Sequence, residues 1–159
     1  MLNWIKFITV FLIALTTVIV ITVFYNANKP LAVSTEAASK AAIESGQLVS
    51  VNSVQPYNGT QSFMTVFGVD EKGEEIVVFV DDSVENGFKS LKVHDGITAK
   101  EAIQTVAEEL TIDKILHVTL GIEEDEPVWE VAFTGDNGKL NYVYVFFESG
   151  QWWKRILNL

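Results

Sequence analysis

Residues 96–147 read GITAKEAIQTVAEELTIDKILHVTLGIEEDEPVWEVAFTGDNGKLNYVYVFF, a helical pattern followed by strand patterns. Thr98 and Glu101 have the T-x-x-E spacing of a capping box, which predicts a helix to Leu110. The helix would have one apolar stripe: Ala102, Ile103, Val106, Ala107 and Leu110. Strand patterns cover residues 112–122, 128–134 and 139–147, with a hairpin turn at Asp136-Asn137-Gly138. The stretch therefore predicts a helix packed on an antiparallel meander, an α+β unit.

The same order of elements occurs earlier in the chain. An alanine-rich segment, residues 35–45, follows Ser34, a helix-capping residue type, and precedes Gly46, at which a helix would end. This helix either begins at Ser34 or continues a longer helix from the N-terminal side. Runs rich in β-branched and aromatic residues then predict a second meander, at residues 48–57, 62–69 and 74–81. Residues 83–96, which include Asn86-Gly87, would add a short fourth strand.

The two regions match at a fixed offset. Shifted by 65 positions, identical residues coincide at Val66 and Val131, Gly73 and Gly138, Val78 and Val143, and Val80 and Val145. We therefore predict two tandem copies of one unit, residues 31–96 and residues 97–159. Chance similarity between two small α+β units is the alternative.

An uncharged run, residues 7–25, precedes both copies and reads FITVFLIALTTVIVITVFY. A helix of this length is roughly 28 Å long, which matches the hydrocarbon core of a bilayer. Lys6 lies on the short N-terminal side, and Trp4 and Tyr25 have rings of the kind found at membrane interfaces. Residues 1–30 are therefore predicted to be a short cytoplasmic segment and a single-pass anchor in the cell membrane, with an extracytoplasmic C-terminal domain.

A cleaved signal peptide is the alternative for the same run. The apolar stretch of a signal peptide is usually about 7 to 15 residues long, and it ends at a small-x-small cleavage site. Here the run is longer and is followed by NANKPLAV, in which Lys29 and Pro30 fit such a site poorly. These features favour the anchor.

Charge and cysteine content restrict the partners of the exported part. All 21 acidic residues lie beyond Pro30 with nine basic ones, so this part has a net charge of −12. Nucleic acid and other polyanions are therefore poor direct partners, and we predict no binding of nucleic acid. The chain has no cysteine, so the exported part must fold without disulfides, and no lipid can be attached to a cysteine.

Few residues suggest catalysis. His94 and His117 lie far apart without a metal-binding spacing, and Ser149 lies in E-S-G, which is typical of a turn. The acidic run at residues 123–126 lacks the ligand spacing of a calcium loop, and we interpret it as a solvated loop. Asp81 and Asp82 are interpreted as strand-ending acids. We predict no enzyme activity, no metal and no cofactor.

The aromatic residues near the C-terminal end are the candidate binding residues. Tyr142, Tyr144 and Phe146 alternate with apolar residues, so both faces of that strand are apolar, although one helix covers only one face. Trp152 and Trp153 would point to opposite sides of an extended segment. One interpretation is that the other copy packs on the second face. The other is a partner-binding patch of Tyr142, Tyr144, Trp152 and Trp153.

The segments GITAKEAIQTVAEEL and HVTLGIEEDEPVWEVAFTGDNGKLNYVYVFFESGQWWKRI resemble a PepSY domain, with its "ITxxEAI" helix start and "WEV" strand. With the anchor, the alanine-rich helix and a degenerate first copy, the whole chain resembles the TseB (YpmB) family of Gram-positive bacteria. The resemblance implies tandem PepSY-like (cystatin-like) units. It also implies regulation of cell-wall elongation and peptidoglycan synthesis by binding an elongation-specific penicillin-binding protein. The alternative, implied by PepSY domains in general, is an exported protease inhibitor or ligand sensor.

Overall fold

A computed structural model describes residues 2–81 and 88–159 of the chain. The chain divides into two compact units, Met1–Ala37 and Ala38–Leu159, and both sheets described below lie in the second. The predicted turn at Asn86-Gly87, and Asp82 of the predicted acidic pair, fall outside the described residues.

Helix α1 spans Leu2–Glu44 without interruption, and Pro30 lies inside it. The prediction of a helix that begins at Ser34 is therefore wrong, and the alternative, a helix that continues from the N-terminal side, is confirmed. Within the described residues, this one helix is long and apolar enough to cross a membrane. The hydroxyls of Thr9 and Thr17 donate to main-chain carbonyls four residues earlier, at 2.9 Å and 2.8 Å, so these polar groups are satisfied inside the helix.

The helix ends where the sequence predicts. Gly46 has a φ of +75°, and its N–H donates to the carbonyl of Ile43 at 3.0 Å. Glycine adopts this left-handed conformation at little cost, which is why helices often end at it. The chain then turns into the first sheet.

The first sheet has four antiparallel strands in sequence order: β1 Ser50–Asn58, β2 Ser62–Val69, β3 Glu75–Asp81 and β4 Lys89–Lys92. A short 3₁₀ helix, Val93–Asp95, leads to helix α2, Ala99–Glu109. The second sheet is likewise antiparallel and in order: β5 Lys114–Glu123, β6 Glu126–Thr134, β7 Leu140–Phe146 and β8 Trp152–Ile156. The six predicted meander strands are confirmed to within two residues at each end, and so is the short fourth strand.

The capping box of α2 is confirmed. The Thr98 hydroxyl accepts from the N–H of Glu101 at 3.3 Å, and the Glu101 carboxylate accepts from the N–H of Thr98 at 2.7 Å. Ala102 and Val106 are fully buried, whereas Ala107 is exposed, so its assignment to the apolar stripe is wrong. Ala99 takes its place against the core.

The two helix-and-sheet regions have the same local construction. Val66 pairs with Val78 in the first sheet, and Val131 pairs with Val143 in the second. Each first strand has one irregularity, between Val51 and Ser53 in β1 and between Ile115 and His117 in β5. The second turns also agree, because Gly73 and Gly138 have φ values of +81° and +73°. The two regions therefore share these backbone features, and their origin as two copies of one unit stays a prediction.

Each sheet packs on its own helix. Ala38 and Ala42 of α1 contact a cluster that includes Val66 and Val78, and Ala102 and Val106 of α2 contact a cluster that includes Val131 and Val143. The other face of the first sheet joins the second cluster through Tyr57, Phe63, Val77 and Phe79. Phe67 stacks on Trp129 with ring centroids 6.4 Å apart. The first sheet is therefore covered on both faces. The architecture is α+β, as predicted.

Candidate functional site: the outer face of the second sheet

The second sheet has one closed face and one partly open face. On β7, Val143 and Val145 are fully buried against the core, whereas the alternating Tyr142, Tyr144 and Phe146 are only partly buried. We call the face that bears these three aromatic residues the outer face. The prediction that both faces of this strand are apolar is confirmed.

Trp152 and Trp153 lie on opposite sides of the second sheet. Trp152 pairs with Val145 and packs against the core, and the Arg155 guanidinium lies 5.5 Å from its ring centroid. Trp153 lies on the outer face, where its ring meets Tyr144 edge-on at 5.8 Å. Of the four predicted binding residues, Tyr142, Tyr144 and Trp153 therefore share the outer face, and Trp152 does not.

A cleft of about 690 Å³ opens beside these aromatics. On one side, the cleft is lined by residues of the second sheet: His117, Glu130, Tyr142 and Tyr144. On the other side, it is lined by residues of β1: Gln55, Pro56 and Asn58. The first copy thus borders the outer face at one side and leaves Tyr142, Tyr144 and Trp153 partly exposed. Neither sequence interpretation is complete, because the face is partly covered and partly free.

Glu130 is the charged group at this cleft that sequence reasoning missed. Its residue surface is 8% exposed, and its carboxylate lies 2.7 Å from Nε2 of His117. Burial, and then a hydrogen bond to Glu130, raise the pKa of the Tyr144 hydroxyl, which therefore remains a donor to that carboxylate. The sequence signal was a glutamate in the middle of an apolar strand, between Trp129 and Val131.

The prediction of a solvated loop at residues 123–126 is confirmed for Glu124, Asp125 and Glu126, which are exposed, and is wrong for Glu123. Glu124 and Asp125 form a two-residue turn with φ values of 49° and 70°, while Glu123 pairs with Glu126 at the strand ends. Glu123 is only 4% exposed. Its carboxylate accepts from the Tyr57 hydroxyl and from the N–H of Thr60, both at 2.8 Å, and from the Thr60 hydroxyl.

The surroundings of Glu123 keep it ionised. Burial by itself would raise the pKa of the carboxyl, but the hydrogen bonds from Thr60 and Tyr57 outweigh burial and hold the pKa below its ordinary value. The ring of Tyr57 lies directly over Gly121, where a β-carbon would stand 2.1 Å from it. Glu123 is therefore a buried connection between the two copies, a role that the sequence run did not suggest.

The remaining sequence candidates are ordinary in structure. Ser149 is exposed in a turn, where its hydroxyl accepts from the N–H of Gln151 at 3.3 Å. His94 lies in the 3₁₀ helix beside Asp95 at 3.3 Å. Among residues 2–81 and 88–159, no three His, Cys, Asp or Glu side chains are grouped as a metal site would require. The outer face offers aromatic rings and hydrogen-bond acceptors, which suit binding.

Known proteins match both the sequence and the fold. The family described as "Cell wall elongation regulator TseB-like domain" matches residues 37–81. The "Probable cell wall elongation regulator TseB" of Bacillus subtilis (strain 168) is 28% identical over 121 residues, which cover 76% of this chain and 75% of that protein. The solved structure of the "YpmB protein from Bacillus subtilis" has a TM-score of 0.68 and 28% identity, over 76% of this chain and 94% of that one.

The chain is similar in sequence and fold to proteins of the TseB/YpmB family. The resemblance stated from the sequence is thereby confirmed at the level of the family and of the α+β fold. The TseB-like segment, residues 37–81, contains the last turns of α1 and strands β1 to β3. It thus falls within residues 31–96, the predicted first copy, whereas the outer face lies within residues 97–159, the predicted second copy.

Proposed function

We propose that this TseB-like protein is a non-catalytic regulator of cell-wall elongation that acts by binding. A relative named as a probable cell wall elongation regulator, similar over three quarters of both chains, supports the regulatory role. The observation that carries the binding role is the partly exposed outer face, on which Tyr142 and Tyr144 line an open cleft and Trp153 packs against Tyr144. Tyrosine and tryptophan are the side chains that most often dominate interface energies.

The proposed location is the cell membrane, with residues 7–25 in the bilayer and both copies outside. The exposed apolar surface of α1 supports the anchor, because lipid would cover it. Lys6 on the short N-terminal side supports a cytoplasmic N-terminus. The corresponding division of the chain is residues 1–30 for the anchor, 31–96 for the first PepSY-like unit and 97–159 for the second. A reporter that folds only outside the cytoplasm, fused after Leu159, should be active, and cytoplasmic activity would reverse the orientation.

The proposed partner is a membrane-anchored penicillin-binding protein of the elongation machinery. A partner in the same membrane suits an anchored domain, because two-dimensional confinement raises the effective concentration of both proteins. The net charge of −12 beyond Pro30 favours a partner with a basic surface. No nucleic acid and no cofactor enter the proposal.

Co-purification from membranes tests the partner. The full chain, tagged at Leu159 and cross-linked in cells, should recover an elongation transpeptidase, and Trp153→Ala should reduce this recovery. Glu124→Gln, an exposed change at the β5–β6 turn, is the matched control and should recover wild-type amounts. Recovery of an exported protease in place of the transpeptidase would favour the inhibitor function instead.

A further inference from the structure

We propose that the cleft beside the outer face is a receptor for a lysine or arginine side chain on an extended segment of the partner protein. This inference rests on the proposed binding function and adds the site and the chemistry of the bound group. The site is defined by Glu130, Gln55, Tyr142 and Tyr144, which all line the same cleft.

The charge at the cleft favours a cation. Apart from the two tyrosines, the titratable side chains that line the cleft are those of Glu130 and His117. Glu130 supplies a carboxylate at the cleft, 2.7 Å from Nε2 of His117, and a carboxylate attracts a cation. The carboxylate has about four acceptor sites and uses two, for His117 and Tyr144, so it can still accept from an incoming donor.

A second acceptor in the cleft lacks a donor. Oε1 of Gln55 is buried and finds no hydrogen-bond partner among the residues that the structure describes. A buried acceptor left without a donor lowers the stability of the fold, so native proteins seldom keep one. Lysine and arginine present several donors and no acceptor, which matches a cleft with both a carboxylate and an orphaned carbonyl oxygen.

The walls and size of the cleft suit the same group. Tyr142 and Tyr144 are partly exposed, and the face of an aromatic ring attracts a cation. The outer face of the sheet already has one contact between a cation and a ring, because the Lys154 ammonium lies 6.0 Å from the Tyr144 ring centroid. A volume of about 690 Å³ exceeds that of one side chain and leaves room for neighbouring residues of an extended segment.

A peptide pair provides the direct test. The probes are the acetylated and amidated peptides Ala-Ala-Lys-Ala-Ala and Ala-Ala-Nle-Ala-Ala, in which norleucine keeps the apolar stem of lysine without its charge. Saturation-transfer NMR with the full chain in detergent should show binding of the lysine peptide at least tenfold tighter than that of the norleucine peptide. Equal binding, or binding of neither, would overturn the inference.

Matched variants locate the binding. Glu130→Gln and Gln55→Ala should each weaken the lysine peptide, Glu130→Gln by tenfold or more. Glu126→Gln, at the exposed start of the same strand, should leave its affinity unchanged. Gln55 makes no hydrogen bond through Oε1 within the described residues, so its variant tests the cleft even if Glu130→Gln folds poorly. Unchanged affinity in Gln55→Ala and in a folded Glu130→Gln would place the peptide elsewhere and refute the site.

Co-purification separates this inference from the proposed function. If the transpeptidase is recovered with wild type and with both cleft variants, but not with Trp153→Ala, the partner stands and the cleft inference fails. If the lysine peptide binds at the cleft but no transpeptidase is recovered with wild type, the cleft stands and the proposed partner fails. Loss of recovery in Glu130→Gln and Gln55→Ala, with Glu126→Gln unaffected, supports both.

Discussion

The two sheets of the protein are built alike but are covered differently. Both have four antiparallel strands in sequence order, an irregularity in the first strand and a glycine at positive φ in the second turn. The first sheet is closed on both faces, by α1 and by the second copy. The second sheet is closed by α2 and the first copy on one face, and its outer face stays partly open.

This difference teaches that two sheets of the same topology can be covered differently. The first sheet uses both apolar faces for packing, whereas the second leaves aromatic residues partly exposed on its outer face. The connection at Glu123 fixes the second copy against the first through Tyr57 and Thr60. The following predictions test whether covered and open faces differ as proposed, from the largest expected effect to the smallest.

Two tryptophans on opposite faces of the second sheet give the sharpest contrast in stability. Trp129→Ala should lower the free energy of unfolding by about 3–5 kcal/mol, because Trp129 is buried, stacks on Phe67 and donates to the carbonyl of Ile97 at 2.8 Å. Trp153→Ala should lower it by less than about 1 kcal/mol, as expected for a partly exposed side chain. Urea unfolding of the full chain in detergent, followed by circular dichroism, measures both. Equal losses would mean that the outer face is ordinary core.

Trp153, whose loss should change stability little, should contribute strongly to binding. Trp153→Ala should weaken association with the partner by about 2 kcal/mol or more if the outer face is the docking surface. Trp152→Ala, which removes a ring packed against the core, should mainly reduce stability. Affinities of the purified full chains for the purified transpeptidase, together with the unfolding curves, distinguish the two. A binding loss confined to Trp152→Ala would move the docking surface to the other side of β8.

The connection between the copies should depend on the charge of Glu123. Glu123→Gln should cost about 2 kcal/mol, because the buried donors of Tyr57 and Thr60 lose an ionised acceptor. Glu124→Gln, its exposed neighbour in the same hairpin, should cost almost nothing and is the control. Urea unfolding at neutral pH gives both values. A negligible cost for Glu123→Gln would show that the copies are held together by apolar packing alone.

The pH dependence of stability follows from the same carboxyl. Its pKa in the folded protein is lower than in the unfolded chain, so the contribution is fully present above the unfolded pKa, about 4.3, and is lost as the pH falls through the folded pKa. The wild type should therefore lose more stability than Glu123→Gln on acidification from pH 6 towards pH 3. Parallel losses in the two proteins would contradict the assignment.

The smallest effects should be equal in the two copies. Gly73→Ala and Gly138→Ala should each cost about 1 kcal/mol, since alanine is strained at positive φ while neither site has an atom within 4 Å of a new β-carbon. Unfolding curves of the two variants measure this equality. A much larger cost at one of them would show that the turns differ in a way that their backbone geometry does not reveal.

Much of the fold was predictable because its signals are local. The capping box at Thr98 and Glu101, the turn at Asp136-Asn137-Gly138 and the alternation around Val143 each depend on a few neighbouring residues. Strand β8 was left unassigned, because its short W-W-K-R-I run has no alternating pattern and forms only by pairing with β7. The candidate site was predictable in part: Tyr142, Tyr144 and Trp153 share a face, while Glu130 and Gln55 at the cleft were missed.

The sequence by itself determined the apolar helix, the two helix-and-sheet units and the family resemblance, because periodicity, turn chemistry and motifs depend on consecutive residues. Only the tertiary structure decided which apolar face is covered and which stays open. Only the tertiary structure, too, showed that Glu123, one acid in a charged run, is buried and accepts a hydrogen bond from Tyr57, 66 residues away. Whether a residue is buried depends on which residues far away in the sequence contact it, and local sequence patterns do not specify those contacts.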